Sequence, residues 1–286
     1  MNCLKERVTL TIEKDLLETI DGKVDGTTVK NRSHAVELYL RRALKGRVPT
    51  KALILAGGRG TRLMPLTKDV PKPLIKVRGK PLLEHNLELL KRFGIRDVII
   101  SVGYLHEQIK EYFKDGAAFG VNITYLDEDI EKSPLGTAGP IKKAKEALQH
   151  GSFLVLNADE LKDVNLESLY KEHLRNQGTA TIALTTVKDP SLFGVALLDG
   201  NKIIRFIEKP APGTAPSKLI NAGLYVFEPD VIDLIPDGYS LLEVDVFPRL
   251  ARDGKLYGYP FAGLWANPET PEWLPRIEKE WEGYKS

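Results

Sequence analysis

Apolar and polar positions alternate along Glu6–Ile12, with Val8, Leu10 and Ile12 on one face and Arg7, Thr9 and Thr11 on the other, which predicts a strand. Two helical patterns follow. The first runs near Lys14–Ile20; the second is capped around Ser33 and carries Val36, Tyr39, Leu40, Ala43 and Leu44 on one side. Gly46–Thr50 then breaks the periodicity with a glycine and a proline, directly before the continuous apolar run Ala52–Ala56. A domain boundary is expected there, separating residues 1–47 from residues 51–286. From residue 51, strand-like runs alternate with helical ones: Asp97–Val102 with Leu105–Phe113, and Phe153–Asn157 with Leu166–Arg175. That rhythm predicts an α/β sheet of mainly parallel strands. After residue 178 the runs shorten to Thr179–Thr186, Gly194–Leu198, Lys202–Ile207 and Leu219–Phe227, predicting an antiparallel extension and hence a mixed sheet. Thr270-Pro271-Glu272 predicts the capped start of a last helix through Trp273 and Ile277.

Composition narrows the class. Of 286 residues, 42% are hydrophobic and 28% charged, so the chain can bury a core. No apolar run approaches the ~18 residues of a membrane span. The start lacks a signal-peptide hydrophobic region, so a cytoplasmic location is expected. Cys3 is the single cysteine, which excludes an internal disulfide and argues against zinc. Charge is uneven: residues 1–47 hold ten Lys/Arg against seven Asp/Glu, an excess of +3 in a chain whose net charge is +2. A nucleic-acid partner therefore belongs with the N-terminal segment if anywhere.

A strand and two helices in under fifty residues are too little for a core, so this module is expected to dimerise by pairing its strand with that of a second copy. Arg7–Ile12, together with Asn31-Arg32-Ser33-His34-Ala35 before an amphipathic helix, resembles the ribbon-helix-helix repressors. The resemblance implies a paired ribbon in the DNA major groove, with Arg7, Thr9 and Thr11 reading bases and Arg32 and Ser33 holding a phosphate at a helix start. A dimerisation clip with a solvated threonine face is the alternative.

The strongest signal is Leu55–Leu63, reading Leu-Ala-Gly-Gly-Arg-Gly-Thr-Arg-Leu, continuing through Pro65-Leu66-Thr67 to Pro71-Lys72-Pro73-Leu74 and Gly79-Lys80-Pro81-Leu82. A glycine loop after a buried strand lets backbone N–H groups approach a polyphosphate. The spacing fits neither the dinucleotide fingerprint nor the Walker pattern. Arg62 and Lys72 add two cations joined through prolines that stiffen the path.

This string resembles the sugar-nucleotide pyrophosphorylases, which include mannose-1-phosphate guanylyltransferases and glucose-1-phosphate thymidylyl- and uridylyltransferases. The resemblance implies an α/β, Rossmann-like nucleotidyltransferase fold of the GT-A type, a mixed sheet flanked by helices, behind the small ribbon-helix-helix domain. It implies transfer of a nucleoside monophosphate from a nucleoside triphosphate to a sugar 1-phosphate, with Mg2+ as cofactor and no membrane partner. Leu55, Ala56, Gly57, Gly58, Gly60, Thr61, Gly136, Thr137 and Ala138 would bind the nucleotide; Arg62, Lys72 and Asp159 would be catalytic. Asp159, ending an apolar strand, would hold the metal, its alternative being a helix cap. Phe206–Pro210 and Asn221–Tyr225 resemble the family's sugar-phosphate pocket, implying Glu208, Lys209, Asn221 and Gly223, although Glu-Lys-Pro alone reads as an exposed turn. The segment Leu135–Gly139 leans towards the guanylyltransferases.

One stretch departs from the pattern. Where the family reads Trp-x-Asp-x-Gly-Thr-Pro-Glu, this chain reads Trp265-Ala266-Asn267-Pro268-Glu269-Thr270-Pro271-Glu272. Asn267 thus stands at the second metal-ligand position with an oxygen but no charge. Glu269 or Glu160 is expected to supply the missing carboxylate. If neither does, the alternative is a DNA-binding regulator whose enzyme domain only senses a nucleotide or sugar nucleotide.

Overall fold

The computed structural model describes residues 9–26, 29–36, 39 and 48–284. The chain divides into two compact units, Met1–Gly46 and Arg47–Ser286. In the first, helix α1 spans Lys14–Asp21 and buries Ile20, while Leu10 and Leu16 are exposed. Residues 32–36 are helical, and the N-cap is Asn31 rather than Ser33: Asn31 Oδ1 accepts from the His34 N–H at 2.9 Å. Arg32 is bound on two nitrogens by the Asp21 carboxylate, Nε to Oδ1 at 2.6 Å. Its charge is therefore already matched within the unit. Arg7 lies outside the described residues; Thr9, Thr11 and Ser33 are exposed. Residues 9–12 form no strand, contrary to the period-2 pattern, because an isolated strand gains nothing without a hydrogen-bonding neighbour.

The second unit is built on a nine-stranded sheet of order β5-β4-β1-β6-β11-β8-β12-β10-β9. The strands are β1 Lys51–Ala56, β4 Asp97–Val102, β5 Asn122–Asp127, β6 Phe153–Asn157, β8 Ala180–Thr186, β9 Gly194–Asp199, β10 Lys202–Glu208, β11 Leu219–Phe227 and β12 Leu256–Pro260. Two short pairs stand apart: β2 Lys76–Val77 with β3 Lys80–Pro81, and β7 Leu161–Lys162 with β13 Trp265–Ala266. The first four strands of that order are parallel, β11 runs antiparallel between β6 and β8, and β8 and β12 are parallel. The sheet is therefore mixed, and the antiparallel insertion comes in its middle as well as at the β9–β10 edge.

Both faces are covered by helices α2 Leu82–Arg92, α3 His106–Phe113, α4 Gly139–Lys143, α5 Lys145–Leu148, α6 Leu166–Asn176 and α7 Phe247–Arg252, while α8 Leu274–Glu280 packs in a separate cluster with Val77, Leu82, Leu161 and Trp281. This double covering explains the unbroken apolar character of β1 and β6. Ala52, Ile54, Leu154 and Leu156 pack on one side; Leu53, Phe153 and Val155 pack on the other. No described helix is long and apolar enough to cross a membrane.

The C-terminal segment is stitched to α2 by Trp281, 1% exposed, whose indole Nε1–H donates to His85 Nδ1 at 3.2 Å. That leaves His85 Nε2 to donate to the Val77 carbonyl at 2.9 Å. Trp281→Ala removes a large buried side chain and a buried hydrogen bond, and should cost about 3–5 kcal/mol. Denaturant unfolding followed by circular dichroism checks it; a loss under about 1 kcal/mol would contradict this packing.

Candidate active site

The ends of β1 and β6 lie side by side, with Leu55 opposite Asn157 and the Ala158 N–H donating to the Leu55 carbonyl at 3.1 Å. The glycine loop after β1 and Asp159 after β6 thus share one mouth, at the carboxyl ends of parallel strands where α/β sheets place ligands. A cleft of about 700 Å³ opens there.

The loop's glycines are required by close approach. Gly60 has φ +62°, and a Cβ on it would meet the Lys72 Cβ at 2.9 Å. A Cβ on Gly57 would meet Glu128 Oε1 at 2.8 Å. Thr67 fastens the loop by donating from Oγ1 to the Gly60 carbonyl at 2.8 Å. Lys72 opens the 3-10 turn Lys72–Leu74 that follows Pro71, and its stem runs beneath the loop.

The buried Lys72 ammonium sits between two oxygens, Asp159 Oδ2 at 2.7 Å and Asn267 Oδ1 at 3.0 Å. Burial pushes the Asp159 carboxyl up, but the charge and hydrogen bond of Lys72, with Lys162 beyond, outweigh it and hold Asp159 below its ordinary value. Asn267 reaches this position because β13 pairs with β7, which begins two residues after Asp159. Arg62 lies in the 3-10 turn Thr61–Leu63, half-exposed, with Nη1 2.6 Å from Glu269 Oε1.

Both expected substitutes for the missing carboxylate belong to the cleft lining with Asp159, and each already has a partner. Glu269 is engaged by Arg62, and Glu160 accepts from Asn157 Nδ2 and Trp265 Nε1, each at 3.1 Å. Steric register explains both: residue 269 lies across from the Arg62 turn, and the Glu160 side chain runs under β11 against Gly223.

Leu55, Ala56, Gly57, Gly58, Gly60 and Thr61 line the cleft on one side, and Gly136 and Thr137 face them. Gly136 has φ +73°, and its Cβ position is 2.3 Å from the Ser240 carbonyl oxygen. Ala138 does not line the cleft; it is fully buried, donating its N–H to that carbonyl at 3.0 Å. At the far end, Glu208, the last residue of β10, and Lys209 form an ion pair at 2.8 Å, and Asn221 projects from β11. Asn221 Oδ1 accepts from the Gly223 N–H at 2.9 Å, and its Nδ2 donates to Tyr225 Oη at 2.8 Å. Gly223 itself lies behind the wall, at φ +59°, in the β11 irregularity between Asn221 and Tyr225.

Three acidic or basic groups of this region, Glu128, Glu243 and Lys162, carry no signal in the pattern. Glu128 accepts from Ser101 Oγ at 2.5 Å, and burial pushes its carboxyl up. Glu243, on a π-helical turn Leu242–Val246, accepts from Thr137 Oγ1 at 2.7 Å and is likewise pushed up by burial. Lys162 is fully buried with its Nζ 3.7 Å from Glu160; burial pushes the lysine down and the glutamate up. The π-turn that carries Glu243 is visible only in the fold.

Known proteins share this architecture. Mannose-1-phosphate guanyltransferase from Saccharomyces cerevisiae is 39% identical over 231 residues, covering 78% of this chain and 62% of its own length. A UTP–glucose-1-phosphate uridylyltransferase from Synechocystis is 43% identical over 216 residues, covering 71% and 56%. The chain spans about three-fifths of the length of such curated relatives. Among solved structures, a Bacillus anthracis protein named as a glucose-1-phosphate thymidylyltransferase, with sucrose bound, superposes with TM-score 0.73 at 28% identity, covering 82% of this chain and 97% of that one. HddC from Yersinia pseudotuberculosis complexed with GMP-PN superposes with TM-score 0.68 at 25% identity, covering 81% and 99%. Residues 51–269 match the family model for nucleotidyl transferases, and the chain belongs to the nucleotidyl transferase family.

Proposed function

We propose that the second unit transfers a nucleoside monophosphate from a nucleoside triphosphate to a sugar 1-phosphate, releasing pyrophosphate. The observation that carries this reading is the buried Lys72 ammonium, held 2.7 Å from Asp159 beneath the glycine loop, at one end of a cleft whose other end bears Glu208 and Lys209. The names of the relatives support it, and those of the yeast enzyme and its kin favour a guanylyl donor and mannose 1-phosphate.

In this reading the backbone of the glycine loop cradles the triphosphate. Lys72 has three N–H donors and uses two on Asp159 and Asn267, so a third can serve a phosphate oxygen. Arg62 exchanges Glu269 for the phosphates. Lys209 holds the sugar's phosphate and Glu208 its hydroxyls. The attacking phosphate oxygen is already ionised, so the α-phosphorus is attacked in line without a side-chain base. Catalysis comes from positioning two polyanions and neutralising their charge.

Among the described residues no cluster of three or more His, Cys, Asp or Glu could hold a metal alone. Mg2+ needs no such cage, since it keeps waters and takes substrate phosphates with one or two protein oxygens. Asp159 Oδ2 and Asn267 Oδ1 already converge on one cation, the Lys72 ammonium, so this donor pair fits the ion. When bound, Mg2+ supplies charge neutralisation on the transferred phosphates.

The test is pyrophosphate release with each nucleoside triphosphate against mannose, glucose and N-acetylglucosamine 1-phosphates, with Asp159→Asn as control. Turnover that is lost in the control is expected. Nucleotide binding without turnover would favour the second reading, a regulator with a sensing domain. The specific observation behind that reading is Asn267, an uncharged side chain where the related pattern has an aspartate, with its oxygen on Lys72.

For the N-terminal unit we propose self-association through paired strands and DNA binding by Arg7, Thr9 and Thr11. Arg32, already matched by Asp21, contributes less than the helix-start N–H groups beside Ser33. Sedimentation of the full chain should give a dimer. Duplex DNA binding should weaken steeply with salt and fail in Arg7→Ala; salt-independent or absent binding leaves this unit a dimerisation clip.

A further inference from the structure

Glu160 and Lys162 are charged, almost wholly enclosed, and not used by the transfer just described. Glu160 is nevertheless one of the residues lining the cleft, with Asn157 and Asn221. Its Oε1 accepts from Asn157 Nδ2 and its Oε2 from Trp265 Nε1, both at 3.1 Å. Lys162 Nζ stands 3.7 Å from Oε2 and is itself tied to the Gly223 carbonyl at 3.0 Å and the Asn157 carbonyl at 3.3 Å. A Cβ on residue 223 would fall 2.3 Å from Oε2, so β11 passes over this carboxylate only as glycine. The group is thus fixed from three sides.

An ionised carboxylate offers about four acceptor positions, and Glu160 meets one neutral donor on each oxygen. The remaining acceptor capacity belongs to a residue of the cleft lining. A fixed, enclosed acceptor favours a ligand that presents a donor to it and penalises one that does not, because the unpaired acceptor loses its solvation. We propose that Glu160 is a specificity-determining residue that accepts a hydrogen bond from one hydroxyl of the sugar 1-phosphate, with Lys162 as the positioning residue that holds its carboxylate. This inference rests on the transferase reading above. It assigns the substrate class as sugar 1-phosphates with a free hydroxyl at that carbon, and excludes those bearing a deoxy, O-alkyl or carboxylate group there.

Glu160→Gln is the informative variant. The glutamine oxygen can keep the Trp265 donor, while its amide nitrogen can donate to the oxygen of a flipped Asn157 amide, so the shape survives and the anion does not. Because that leaves Lys162 enclosed without its partner, Glu160→Gln/Lys162→Met is made alongside it. The measurement is kcat/KM for the preferred sugar 1-phosphate and for its 2-, 3-, 4- and 6-deoxyfluoro analogues where those carbons bear hydroxyls. In the wild type, loss of the donor at one carbon should lower kcat/KM by roughly 10- to 100-fold, the worth of a hydrogen bond to a charged group. In the variants that penalty should shrink to under about threefold while those at the other carbons stay. An unchanged pattern in a folded variant, or uniform inactivity at every carbon, reduces Glu160–Lys162 to a structural ion pair and overturns the assignment. Absence of turnover in the wild type with any donor and sugar overturns instead the transferase reading on which it rests.

Discussion

Replacing Lys72 with methionine should lower kcat/KM for pyrophosphate release by roughly 1,000-fold, the scale of removing a preorganised cation from a phosphoryl-transfer site. Methionine keeps the stem that packs against Gly60, so the glycine loop holds its path and the loss reports the ammonium alone. Asp159 would lose its 2.7 Å partner, and with it the main attraction that keeps its carboxyl below the ordinary value. Since the Asp159 side chain remains about a third exposed, the accompanying loss of stability should be roughly 1–2 kcal/mol, short of the ~3–5 kcal/mol for a fully enclosed pair. Thermal unfolding checks that the variant is folded at the assay temperature. Undiminished pyrophosphate release in folded Lys72→Met would remove Lys72, and with it the assigned triphosphate end of the cleft.

How far such a site can be read from the chain depends on which contacts are local. β1, its glycine loop and the Lys72 turn all lie within Lys51–Leu74, so their composition already announces a phosphate cradle. Asp159 is legible for a related reason, because an apolar strand buried on both faces must end at the sheet's rim. The enclosure of Glu160 and its pairing with Lys162 are not. Two opposite charges two residues apart read as solvated surface, and become enclosed only because β7 pairs with β13, about a hundred residues away. Glu269 shows the same limit from the other side. Its place in the motif suggests a metal-site carboxylate, yet Arg62, 207 residues earlier, takes it. Glu243 depends on a π-turn, for which no residue preference is specific. At the N-terminus the period-2 pattern of residues 6–12 is a statement about a partner strand, and the lone chain has no strand at residues 9–12.

Asn267→Asp should tighten metal binding. Asn267 Oδ1 and Asp159 Oδ2 both contact one ammonium, so the two positions address a common point. The exchange adds one negative charge to a nearly isosteric side chain, with no change in the oxygen's place. At ~4 Å and an effective dielectric of ~20, a unit charge interacts by about 4 kcal/mol, and twice that for a divalent ion before desolvation is counted. Most of it is offset by dehydrating the ion and by Lys72, to which the new carboxylate is also attracted; a net gain of roughly 10- to 100-fold in Mg2+ affinity is expected. Calorimetric titration of Mg2+ into the protein with a non-hydrolysable nucleoside triphosphate reads this directly, independent of turnover. The Mg2+ concentration giving half-maximal pyrophosphate release should fall in parallel, and the metal-free variant should unfold at higher temperature than the wild type because the introduced carboxylate pairs with Lys72. A variant that binds Mg2+ no more tightly than the wild type, while gaining that thermal stability, would mean that Lys72 holds the side chain at position 267 away from the ion, and Asp159 alone would then remain as its protein ligand.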